Sequence, residues 1–77
     1  MRYFRADEAT YESVRAAIDA ANGWADEGTQ TSIEPAATAP RDAEGRVLLA
    51  CGDWLAERAA PQLAALEEIT ESDYVPA

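Results

Sequence analysis

The spacing of hydrophobic and polar positions changes along this chain, and the changes mark its elements. Residues 2–6, Arg-Tyr-Phe-Arg-Ala, alternate and carry two aromatics, which predicts a short first strand. Asp7 then offers a helix N-cap, with Glu8 and Glu12 near the positive end of the helix dipole. Tyr11, Val14, Ile18 and Ala21 recur at helical spacing as one apolar stripe. Arg15 and Asp19 are four apart on the outer side and are expected to pair. Asn22-Gly23 closes the helix, because Gly takes the left-handed conformation at little cost.

The pattern then weakens. Residues 24–30 read as a loop, and residues 31–34, Thr-Ser-Ile-Glu, as a short strand ended by Pro35. Residues 35–40 form an Ala/Thr/Pro connector, too poor in large apolar groups to fold alone. Residues 41–45 make a turn, with Asp42 near its start and Gly45 supplying positive φ. Residues 46–51, Arg-Val-Leu-Leu-Ala-Cys, are a continuous apolar run of strand length and the expected central strand. Asp53 is the expected cap of a second helix whose buried stripe is Leu55, Ala59, Leu63 and Leu66. Pro61 falls inside that stripe and predicts a kink or two short pieces. Residues 67–71 read as a last edge strand with an acidic outer row, which also deters stray pairing.

The order β-α-β-β-α-β is that of the ferredoxin-like split βαβ fold, an α+β class, with an irregular two-layer α+β domain as the alternative. Residues 1–77 read as one small domain with a short C-terminal tail, 72–77. The expected core is Phe4, Val14, Ile18, Val47, Leu49, Leu55, Leu63 and Ile69. A chain of 77 residues buries only about 60% of its unfolded surface, so its stability is marginal without help. A lone Cys51 excludes an internal disulfide, and with no His a closed zinc site is excluded too. A partner subunit and a well-packed monomer stay open as answers.

Composition narrows the chemistry. There is no His, and six arginines without lysine stand against fifteen acids, for a net charge of −9. The usual general base and the Schiff-base amine are therefore missing, and the chain reads as no enzyme, with no catalytic residue and no cofactor. Binding to nucleic acid or to anionic membrane draws on basic clusters, so neither is expected as a partner. No apolar run reaches membrane-spanning length, and residues 1–7 turn polar before a signal-peptide core forms. The carboxylates Asp7, Glu8, Glu12 and Asp19 read as a solvated helix face, not a catalytic pair. Residues 42–45 lack the spaced ligands and closing Glu of a calcium loop, so no metal site is expected. Cys51, ending an apolar run, reads as a packed free thiol.

What remains is interaction. Residues 52–77 carry six acids, Asp53, Glu57, Glu67, Glu68, Glu71 and Asp73, against Arg58 alone, so a partner with a basic surface is expected there. Trp24 reads equally as an interface anchor or as core, and Trp54 as core or rim. Tyr74 is an apolar group on a polar tail that docks on a neighbour or frays.

Three stretches, MRYFRADEATYE at 1–12, IEPAATAPRD at 33–42 and EEITESDY at 67–74, resemble small proteins encoded by tailed bacteriophages. The likeness is one of wording and carries no assigned activity. It implies a phage origin, with the chain made in the host cytoplasm. Small non-enzymatic phage proteins are mainly virion components or inhibitors of host machinery. The first reading is therefore a protein–protein interaction module, a virion accessory or structural component docking on larger subunits or on itself, with weak strands that a partner could complete. The alternative is an acidic inhibitor that imitates nucleic acid and blocks a basic groove on a host defence or transcription protein.

Overall fold

Asp7 starts the first helix by the chemistry its side chain allows. In the computed structural model, which describes residues 1–21 and 32–77, its carboxylate accepts the Thr10 backbone N–H at 2.8 Å and the Thr10 hydroxyl at 3.1 Å. The helix that follows, α1 (Glu8–Ala21), buries Tyr11, Val14 and Ile18 on one stripe. Ala21, expected on that stripe, is exposed. The expected Arg15–Asp19 pair gives way to Arg15 and Glu12, whose charged atoms are 3.0 Å apart one turn back. The expected helix stop at Asn22-Gly23 and the loop from Trp24 lie outside the described residues.

Before α1 comes β1 (Arg2–Ala6), and after the connector come β2 (Val47–Cys51) and β3 (Glu67–Ile69). The sheet order is β2-β1-β3, with both pairings antiparallel. The short first strand is therefore central, and the apolar run expected at the centre is an edge strand. The reason lies in what covers it: on β2's outer side, Leu48 N–H donates to Pro40 C=O at 2.9 Å and Asp42 N–H to Arg46 C=O at 3.0 Å. The connector thus folds back as a partial neighbour. Residues 32–34 form no strand, so the β-α-β-β-α-β order is not reproduced among the described residues. The fold is a small α+β mix.

The turn at 41–45 forms as its residues dictate. Asp42 Oδ1 accepts N–H groups from Glu44 at 3.0 Å and Arg46 at 2.9 Å, and Gly45 sits at φ +81°. Beyond β2, Gly52 rather than Asp53 occupies the cap position of α2 (Asp53–Arg58), without a side-chain cap. Asp53 is the first helical residue, and its carboxylate lies 3.1 Å from the Met1 amino group. Pro61 does what its ring requires. The helix breaks at Ala59 and resumes as α3 (Ala60–Leu63), with the proline in its first turn.

Alternation sorts the sheet into two faces. Phe4, Val47, Leu49 and Cys51 point toward the helices and join Tyr11, Val14, Ile18, Leu55, Ala59, Leu63 and Leu66 in one core. Ile69, expected in the core, lies on the opposite face and is only half-buried. Two members of the core come from the stretch between α1 and β2, Ile33 from the expected second strand and Ala36 from the connector. They are placed by α1: Tyr11 Oη donates to Glu34 C=O at 2.6 Å, and Glu12 accepts Ala36 N–H at 2.7 Å. Burial pushes the Tyr11 hydroxyl up to about 12, and the Ala36 N–H holds Glu12 below the usual carboxylate range.

Candidate functional site

Of the acids expected to meet a partner, Glu67 and Glu68 sit on β3 and are engaged by arginines of β1. Arg5 lies directly opposite Glu67 in the β1–β3 register, and its guanidinium forms a fork on that carboxylate with both bonds at 3.0 Å. Arg2 grips Glu68 the same way at 2.9 and 2.8 Å, while its guanidinium stands 5.6 Å from the Phe4 ring centre. Each Arg holds its Glu below the ordinary carboxylate range, through hydrogen bonds first and charge second. The acidic row is a pair of cross-strand clamps.

The backbone at this edge offers little to an added strand. Leu48 directs its N–H outward to Pro40, so Val47, Leu49 and Cys51 bond to β1, and Tyr3 and Arg5 bond to β3. In β3 only Glu68 then turns its N–H and C=O away from the sheet. Strand addition here would engage a single residue beside two charged side chains.

The other expected interface residues are spread over the surface. Glu57 is exposed on α2, and Asp53 stands beside Met1. Glu71 and Asp73 belong to a 3₁₀ turn, α4 (Glu71–Asp73), capped by Thr70, whose hydroxyl accepts Asp73 N–H at 3.2 Å. Tyr74 docks on its own chain, its ring centre 5.2 Å from that of Tyr3. Burial, with Glu71 nearby, pushes the Tyr3 hydroxyl up. Trp24 lies outside the described residues. Trp54 is half-buried against the core, with the Arg58 guanidinium stacked 4.2 Å from its ring centre.

Two open grooves flank β3. One of about 270 Å³ is lined by Phe4, Leu63 and Leu66 with the Arg2–Glu68 clamp at its rim. The other, about 300 Å³, lies between Arg5, Asp7, Thr10, Arg46 and Glu67. In the second, the Thr10 hydroxyl and the Asp7 carboxylate meet as the cap of α1. Cys51 is fully buried, its thiol pushed up by burial, and its Sγ lies 3.6 Å from Gly52 C=O. Burial keeps such a thiol protonated and away from solvent. Among the described residues no three acid or Cys side chains converge as a metal site, and no helix is long and apolar enough to cross a membrane.

The arginines decide the electrostatics. Arg2, Arg5, Arg15, Arg41 and Arg46 pair with Glu68, Glu67, Glu12, Glu8 and Asp42 respectively, and Arg46 also reaches Glu44 at 3.5 Å. The sequence places these acids on a helix face, in a turn and on an edge strand, without their arginine partners. The alternating Arg2-x-x-Arg5 and adjacent Glu67-Glu68 were the one available sign of cross-strand clamps. No protein-family model matches this chain, and comparison with curated proteins and with solved structures gives no match either.

Proposed function

We propose that this chain is a non-enzymatic protein–protein interaction module, a phage virion accessory or structural component that docks on larger subunits presenting a basic surface. One observation carries the reading. Five arginines are paired with the chain's own carboxylates and the sixth, Arg58, is stacked on Trp54. Its cations are thus engaged at home, while Asp19, Glu34, Glu57, Glu71 and Asp73 form no ion pair among the described residues. That residual charge speeds encounter with a basic partner, and contact area holds the complex.

An inhibitor imitating nucleic acid would present its carboxylates in place of phosphates. Here Glu8, Glu12, Asp42, Glu44, Glu67 and Glu68 are turned onto arginines, which favours the module reading over that rival. Mass spectrometry of purified phage particles tests the choice. Stoichiometric copies in the particle are expected. Absence from particles, with expression early in infection, would overturn the reading in favour of the inhibitor.

A further inference from the structure

The sheet has a second face, opposite the helices, with an apolar patch beside the Arg5–Glu67 pair. Tyr3, Leu48, Ala50 and Ile69 point there by alternation. Leu48 is 1% exposed although it takes no part in the helix-side core. What crosses this face is the segment 74–77. Tyr74 packs its ring, tilted by 51°, against Tyr3 of the central strand, and Ala77 N–H donates to Arg41 C=O at 2.8 Å, beyond the outer edge of β2. Three residues of extended chain reach about 10 Å, and two strand spacings are about 9.5 Å. Residues 74–77 therefore run across β2 on the side to which Leu48 points.

This strap matches the face chemically. Glu71 lies beside Tyr3, Asp73 adds its negative field to that around Arg5, and a ring covers a ring. Its outer side stays open, with Val75 62% exposed. We infer that this back face is a docking surface for an extended acidic, aromatic segment, filled within one molecule by residues 71–77, and that the segment it accepts in an assembly is the same one from a second copy. Each copy carries both the surface and the segment, and none of the contacts depends on which copy supplies which. The inference rests on the interaction-module reading only for its role in a particle.

Within one molecule the strap competes at an effective concentration on the order of millimolar. Wild-type chain is therefore closed and monomeric at micromolar concentration. Two full-length variants unmask the exchange. Tyr3→Ala spoils the surface and releases its strap, whereas Tyr74→Ala spoils the strap and leaves its surface open. Each alone is expected to sediment as a monomer, and an equimolar mixture as a heterodimer, in which the Tyr3→Ala strap fills the Tyr74→Ala surface. A mixture that stays monomeric while both variants keep the wild-type circular dichroism overturns the proposal. Should either variant fail to fold, hydrogen exchange on the wild-type chain decides. The amides of Asp73, Tyr74 and Ala77 are expected to exchange at least tenfold faster than those of Phe4 and Leu49. Equal rates would make the strap part of the cooperative core and end the proposal. The particle experiment does not enter this test, so the two readings fail separately.

Discussion

Arg5 and Glu67 face each other directly across the β1–β3 ladder and close a two-bond fork, both bonds at 3.0 Å. With the Arg2–Glu68 clamp it accounts for a three-residue edge strand holding its place with two acids in sequence. Opposite charges in register stabilise a sheet pair, and like charges left unpaired would repel.

The clamps make stability depend on pH in a definite direction. Glu67 and Glu68 titrate below their ordinary value of 4.5 in the folded chain. A depressed folded value means stability that is fully present above about 4.5 and lost as pH falls through the folded value. The thermal midpoint of the wild type is expected to hold from neutrality to about pH 5 and then fall. In the Glu67→Gln, Glu68→Gln double variant the midpoint starts lower at neutrality and falls less on acidification. Parallel curves for the two proteins would mean that the clamps contribute nothing.

Residues 33 and 36 are part of the core, and that has a measurable consequence. Ile33 is 4% exposed and Ala36 2%. Ile33→Ala is expected to cost about 2–5 kcal/mol, and Ala36→Leu about 1–3 kcal/mol through overpacking. Urea denaturation reads both. Values near zero would place residues 33–36 on the surface.

Cys51 is expected to behave as a hydrophobic side chain. It is fully buried, so a thiol reagent added to native protein should react only at the rate of opening, and at once in denaturant. Cys51→Ala should keep the fold with a modest packing loss. Rapid labelling of the native chain would place the thiol at the surface.

Gly45 isolates a backbone effect. Its φ is +81°, and a Cβ built there meets nothing within 4 Å. Gly45→Ala should therefore lower stability through conformation alone, by about 1–2 kcal/mol. Gly45→Asn, which tolerates the left-handed region better, should recover part of the loss in the same urea titration.

Local chemistry was enough to settle much of this protein. The stripe Tyr11, Val14, Ile18, the cap at Asp7, the turn at Asp42 and Gly45, the break before Pro61 and the burial of Cys51 are all written in neighbouring residues. Each depends on backbone geometry or on a period of a few residues, which a sequence carries intact. Strand order does not. β2 has the more apolar sequence, yet β1 is central, because Pro40 and Arg41 fold back onto β2 and the β3 residues find their charge partners on β1. The candidate site was half legible for the same reason. An acid on a solvated edge and an acid held in an arginine fork read alike until register brings Glu67 opposite Arg5. Likewise the tail at 72–77 reads as a segment that docks on a neighbour or frays, and only the back face at Tyr3 and Leu48 gives Tyr74 a place to dock. Pairing across sixty residues is a property of the closed sheet, and only the tertiary structure decides it.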